Sequence, residues 1–203
     1  MSRLVVWREH LGYQGLSLAL MALVASAALV IGDRLTAPAI EVAERRDFSA
    51  SLAQVLPPGS YDNDLLQDQV QITPPDQRPV TLYRARLGQR ITGVVFKTSA
   101  RGYAGDIQLV LGIDPEGRLL GVQVTKHSET PGLGDKIERN KSNWVLAFTG
   151  KSLGDPAPER WAVKKDGGVF DQFTGATITP RATVKAIKLG LEFFAAHRQE
   201  ILQ

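Results

Sequence analysis

Apolar positions divide the chain into three stretches of different periodicity. Residues 11–32 contain no charged side chain and read almost continuously apolar, with Leu16, Leu18, Leu20, Leu23, Leu29, Val30 and Ile31 set among small residues. A helix needs about 20 such residues to cross the hydrocarbon of a bilayer, so this stretch predicts one transmembrane helix. Residues 36–56 keep a partial helical stripe at Ile40, Val42, Phe48, Leu52 and Val55, with Pro38 placed in the first turn. Pro57-Pro58-Gly59 ends that helix. Residues 61–78 are polar, close on Pro74-Pro75-Asp76, and read as an irregular link.

The pattern changes to strands from residue 80 onward. Residues 80–87, 91–98, 107–111 and 119–124 are short apolar or alternating runs. Gly102-Tyr103-Ala104-Gly105 and Asp114-Pro115-Glu116-Gly117 mark turns between them. Runs this short with turns this tight predict an antiparallel meander. After a loop at 129–134 a short helix is expected over 135–148, and Trp161-Ala162-Val163 reads as a further strand. The last helix is expected over 180–199, with Val184, Ile187, Leu191 and Phe194 on one face. The fold class is therefore α+β: one N-terminal transmembrane helix, then a small antiparallel-sheet domain with flanking helices. The expected division is an N-terminus at 1–10, the span at 11–32, a helical connector and linker at 33–79, and the folded domain at 80–203.

Charge sets the expected orientation. Arg3 and Arg8 precede the apolar run, and Asp33 and Arg34 follow it. The positive-inside bias puts the N-terminus in the cytoplasm and residues beyond Arg34 across the membrane, in the periplasm of a Gram-negative cell. Ala25-Ser26-Ala27 also fits the cleavage site of a signal peptide. The apolar run continues through Ala28-Leu29-Val30-Ile31, which favours a retained anchor, and both readings place the folded domain on the same side.

Composition narrows the chemistry. The 203 residues suffice for one domain with a core beside the anchor. The net charge is +3, and basic residues such as Arg45, Arg84 and Lys165 are interspersed with acids, unlike the basic stripe of a nucleic-acid binder. The absence of cysteine removes disulfides, thiol nucleophiles and iron–sulfur ligation. His10, His127 and His197 lie far apart, with no second ligand at metal spacing. Electron transfer by this chain would need an organic cofactor.

The densest local feature is Asp171-Gln172-Phe173-Thr174-Gly175-Ala176-Thr177-Ile178-Thr179-Pro180. It reads as a turn feeding a helix, with Thr179 as N-cap, Pro180 at the first helical position and Gly175 free to take a positive φ. Three hydroxyls, of Thr174, Thr177 and Thr179, stand near a helix N-terminus. That is a place suited to phosphate, which Arg181 is positioned to pair with. A plain capped helix with a glycine turn fits the same residues, and nothing in their physics marks a hydroxyl as covalently modified.

Asp171-x-x-Thr174-Gly175-Ala176-Thr177 resembles the flavinylation motif D-x-x-[S/T]-G-A-T of covalent FMN-binding domains. The blocks 127–137 and 161–168 are similar to one subfamily, the G subunit of the Rnf-type (Rsx) ion-translocating electron-transport complexes. The resemblance implies FMN in phosphoester linkage to Thr177, attached by a Mg-dependent flavin transferase that uses FAD as donor. It implies a bacterial inner-membrane protein, single-pass with a periplasmic domain. Such a protein relays electrons beside other membrane subunits that couple ferredoxin and NAD redox chemistry to Na⁺ or H⁺ movement, and it catalyses nothing alone. Thr174, Gly175, Ala176 and Asp171 then surround the attachment point. Glu129, Thr130, Leu133 and Gly134 offer a tight loop whose backbone N–H groups would face the ring, and Lys164 offers a cation. Two alternatives stay open: a component like the C subunit of sodium-pumping quinone reductase, which shares the motif but less of the other blocks, and a non-redox membrane-anchored scaffold. A hydrolase with a threonine nucleophile lacks a base related to Thr177.

Overall fold

Four strands lie where the apolar alternation puts them, and a fifth joins them at one edge. The computed structural model describes residues 11–74 and 79–203; the expected cytoplasmic segment 1–10 and the Pro75-Asp76 turn lie outside the described residues. Strands β1 (Gln69–Ile72), β2 (Val80–Leu87), β3 (Arg90–Arg101), β4 (Asp106–Ile113) and β5 (Leu119–Lys126) form one antiparallel sheet in the order β1-β2-β3-β4-β5. β1 falls inside the expected link. It alternates glutamine with Val70 and Ile72, too short a signal to read alone, and pairing Val70 with Leu82 and Ile72 with Val80 completes it.

The sheet is covered on both faces. On one, Val184, Ile187, Leu191 and Phe194 of helix α2 (Ile178–Ile201) are buried in a cluster with Leu82, Val94, Phe96, Leu109, Leu111 and Ile113. On the other, Leu52, Val55, Leu56 and Leu65 pack with Ala85, Val95 and Val110. Gly112 and Gly121 are register partners on β4 and β5. A Cβ at Gly112 would stand 2.4 Å from the Val55 carbonyl oxygen, and one at Gly121 2.9 Å from Val55 Cα. Only glycine lets the chain at Val55 lie so close to the sheet.

Residues 135–148 do not form the expected helix. They make two 3₁₀ turns, Asp135–Ile137 and Trp144–Phe148. Ser142 divides them: its hydroxyl donates to the Lys136 carbonyl (2.6 Å) and accepts from the Trp144 N–H (3.1 Å), in place of a helical ladder. Trp161-Ala162-Val163 is not a strand either; Val163 makes one isolated parallel bridge with Phe170.

The chain divides into two compact units, with the boundary after Asp47. Helix α1 runs Leu11–Gln54 without the expected break, and Pro38 lies inside it, not in a first turn. A proline withholds one N–H, here the partner of the Arg34 carbonyl, and neighbouring Thr36, Ala37, Ala39 and Ile40 carry no turn signal to end the helix. The segment Gly12–Ile40 contains an 18-residue window of mean hydropathy 2.2, none of it buried, so it is long and apolar enough to span a membrane. The second unit, 48–203, holds the sheet, α2 and both clusters.

Candidate functional site

The motif turn is set by Gly175 and anchored by Phe173. Gly175 has φ +83°, and a Cβ there would meet Leu133 Cδ2 at 3.2 Å. The Ala176 N–H donates to the Phe173 carbonyl across the turn (3.3 Å). Phe173 is buried and meets Trp144 edge-on at 5.0 Å; Trp144 packs on Phe148, which stacks on Phe170 at 4.3 Å. The Trp144 indole N–H donates to the Asp171 carbonyl (2.8 Å), fixing the first residue of the motif.

Helix α2 begins at Ile178, so Thr177 occupies the N-cap position and the expected cap, Thr179, lies in the first turn. Thr179 is buried and donates its hydroxyl to the Glu129 carboxylate. The Thr177 hydroxyl makes no cap hydrogen bond, and the residue is half-buried. Arg181 does not reach toward this position. It forms a two-pronged pair with Asp166, at 2.6 Å from both its Nε and Nη2, and the hydrogen bonds from Arg181 hold the Asp166 carboxyl below the usual carboxylate range.

The 129–134 loop is closed upon itself. The Gly132 N–H donates to the Asp135 carboxylate (2.8 Å), and the Leu133 and Gly134 N–H groups both donate to the Thr130 carbonyl (3.1 and 3.0 Å). Those three amides are therefore spent inside the loop and do not serve a ligand, contrary to expectation. Glu129 is buried, accepts the Ala104 N–H at Oε1 (3.1 Å) and donates its own N–H to His127 Nδ1 (3.1 Å). Nδ1 thus accepts, which leaves the ring proton on Nε2, facing Glu138 at 2.9 Å.

These segments enclose a cavity of about 500 Å³, lined by Tyr103, by Glu129, Thr130, Leu133 and Gly134 of the loop, and by residues 175–179. Seven of the ten residues singled out from sequence meet here: Thr177, Gly175, Ala176, Glu129, Thr130, Leu133 and Gly134. Thr174 is exposed on the motif turn and does not line it. Nor do Lys164 and Asp171, which pair with each other at 2.5 Å. Tyr103, Ile178 and Thr179 complete the lining. Tyr103 escaped notice because its Gly-Tyr-Ala-Gly run carries only a turn signal. Among the described residues no group of three or more His, Asp or Glu is placed to hold a metal ion.

Residues 102–192 match the family model of the FMN-binding domain, a segment that contains every cavity-lining residue. Similar proteins include the G subunit of the ion-translocating oxidoreductase complex of Stutzerimonas stutzeri, 49% identical over 189 residues, covering 93% of this chain and 83% of the relative. The G subunit of the same complex in Cereibacter sphaeroides is 44% identical over 196 residues, covering 97% and 90%. The chain belongs to the family of G subunits of ion-translocating oxidoreductase complexes. The crystal structure of Shewanella oneidensis NqrC shares the fold, with a TM-score of 0.51 and 22% identity over 69% of this chain and 74% of that one.

The cavity suits FMN on its own chemistry. An uncommitted hydroxyl, that of Thr177, stands at the positive end of a 24-residue helix, where phosphate is favoured. Tyr103, Leu133 and Ile178 give the lining apolar surface for a planar ring. Its volume falls within the range of about 300–1,000 Å³ usual for small-molecule sites.

Proposed function

We propose that this chain is a membrane-anchored electron-transfer subunit of an ion-translocating oxidoreductase complex, carrying FMN as a phosphoester on Thr177. The carrying observation is the state of that hydroxyl: half-buried, lining the cavity and making no helix cap, while Thr179 beside it is buried and bonded to Glu129. FMN exchanges one or two electrons; the protein binds it, sets its surroundings and presents it to neighbouring carriers. A flavin transferase installs it from FAD. The Thr177 oxygen bonds to the FMN phosphorus, the pyrophosphate bond breaks, AMP leaves, and the hydroxyl proton passes to a base of the transferase.

The folded unit lies in the periplasm, with residues 1–10 in the cytoplasm and other membrane proteins of the complex as partners. Arg3 and Arg8 before the span support that orientation. A covalent bond suits such a site, since a cofactor lost there is not replaced from the cytoplasmic pool. Gly175 and Ala176 bring the backbone close to the attachment point. Thr174, Asp171 and Lys164 lie on the outer side of the motif turn, where they present it to the transferase.

The mass of the tryptic peptide 166–181 decides the matter. Protein made with its transferase yields that peptide heavier by FMN less one water, and its band fluoresces on a denaturing gel. A peptide of unmodified mass and a dark band would sink the reading and favour the scaffold. A C-terminal alkaline phosphatase fusion is expected to be active; an inactive one reverses the orientation.

A further inference from the structure

We infer that Tyr103 is the aromatic wall against which the isoalloxazine of FMN packs, and that Glu129 is the positioning residue that holds it there. The inference rests on the Thr177 reading. Among the described residues of 48–203, six large apolar side chains stand exposed: Leu87, Tyr103, Leu133, Leu146, Ile178 and Leu189. Three of them, Tyr103, Leu133 and Ile178, line this one cavity, and they come from three separate segments. Tyr103 is the most exposed of the six, at 70%. Side chains of this kind gather in solvent where an apolar partner covers them. A ligand tethered at Thr177 reaches all three, and the broad face of a tyrosine suits a planar conjugated ring.

Glu129 ties the walls together. Its Oε1 accepts the N–H of Ala104, the residue after Tyr103, and its Oε2 accepts the hydroxyl of Thr179, two residues beyond Thr177. One carboxylate, 5% exposed, thereby joins the turn that carries Tyr103 to the helix start that carries the attachment hydroxyl. Two glycines make room for it. A Cβ at Gly102 would lie 2.5 Å from Oε1, and one at Gly134 would lie 2.9 Å from the Thr179 hydroxyl and 3.2 Å from Oε2. The 102–104 turn, the 129–134 loop and the start of α2 meet at this side chain, so its loss frees the Tyr103 turn from the rest of the cavity.

Fluorescence tests both roles. Full-length protein, made with the transferase and purified in detergent, is first assayed for flavin on peptide 166–181, and the flavin fluorescence yield and lifetime are then compared at equal loading. A phenol packed on an isoalloxazine quenches its excited state by donating an electron. Tyr103→Leu is expected to raise the yield several-fold. Tyr103→Phe is expected to do so as well, because a phenyl ring is a poor donor. Glu129→Ala is expected to brighten the flavin with an unchanged circular dichroism spectrum. Glu129→Gln, which keeps a carbonyl to accept the Ala104 N–H, stays as dim as the wild type. An unchanged yield and lifetime in Tyr103→Leu overturns the wall assignment and leaves the Thr177 reading standing. A Glu129→Gln protein as bright as Glu129→Ala overturns the positioning role. A wild-type peptide without flavin overturns the Thr177 reading and this inference with it.

Discussion

Three threonines lie within residues 174–179 in three different chemical situations. Thr174 is exposed, Thr177 half-buried without a cap bond, and Thr179 buried against Glu129. These differences separate labelling from stability. Thr177→Ala is expected to remove all flavin from the protein while leaving its unfolding midpoint in urea nearly unchanged, because that hydroxyl supports nothing in the fold. Thr179→Val is expected to do the reverse. It leaves Glu129 Oε2 buried without a donor, at a cost of about 1–3 kcal/mol, read as a lower urea midpoint, while peptide 166–181 still acquires flavin. Asp68 gives a pH prediction at the same scale. Burial pushes its carboxyl up, but hydrogen bonds from Arg86 and Arg84 outweigh burial, and it sits below the ordinary carboxylate value. A group depressed in the folded state stabilises fully above its unfolded pKa, near 4 for aspartate. That contribution is lost as pH falls from there through the lower folded value. Asp68→Asn is therefore expected to flatten the acid limb of a stability-against-pH curve, and an unchanged limb would show that the pair contributes nothing.

At the scale of elements, periodicity located what is repetitive and missed what is held by side chains or by pairing. The four longer strands and the buried face of α2 were legible because each buries a periodic apolar set. β1 was not, since four residues with two glutamines become a strand only beside β2. The 135–148 segment misled because Ile137, Trp144, Val145 and Phe148 are apolar at helix-like spacing, whereas Ser142 diverts the backbone into two 3₁₀ turns. In the site, the motif turn and the loop were legible as motifs. The employment of Arg181 by Asp166 and of Thr179 by Glu129 depends on contacts across 15 and 50 residues, which no local pattern encodes. The glycine pair on β4 and β5 carries a prediction of its own. Gly112→Ala places a methyl 2.4 Å from the Val55 carbonyl oxygen, so the segment must shift. Overpacking of this kind costs about 1–3 kcal/mol, and the thermal midpoint of the full chain in detergent is expected to fall accordingly; Gly117→Ala, at a position with open space but φ +90°, is a comparison that strains a turn without touching Val55.

At the scale of the whole molecule, the question is where the folded unit begins. The strand pattern alone suggests residue 80, whereas the compact unit starts at Phe48. The difference is a whole layer. Leu52, Val55, Leu56 and Leu65 bury Ala85, Val95 and Val110 on the face of the sheet that α2 does not cover. Phe48 adds an edge-on contact with Tyr83 at 5.2 Å and a ring 4.0 Å beneath Lys97 Nζ. β1 extends the sheet beyond β2, and the 62–68 segment is bonded to β2 through Asn63 and Asp68. A fragment starting at residue 80 loses all of this and presents an apolar sheet face and an unpaired β2 edge to water, a template for association. A fragment of residues 48–203 keeps both layers and sheds the apolar span. The expected outcome is a monomer on gel filtration with one cooperative unfolding transition for 48–203, against aggregation or non-cooperative melting for 80–203. Both fragments retain the 102–192 segment and Thr177, so flavin loading compared between them shows whether the transferase requires the second layer or only the site. An 80–203 fragment that is monomeric and melts cooperatively would make the helix end and β1 accessory to the fold.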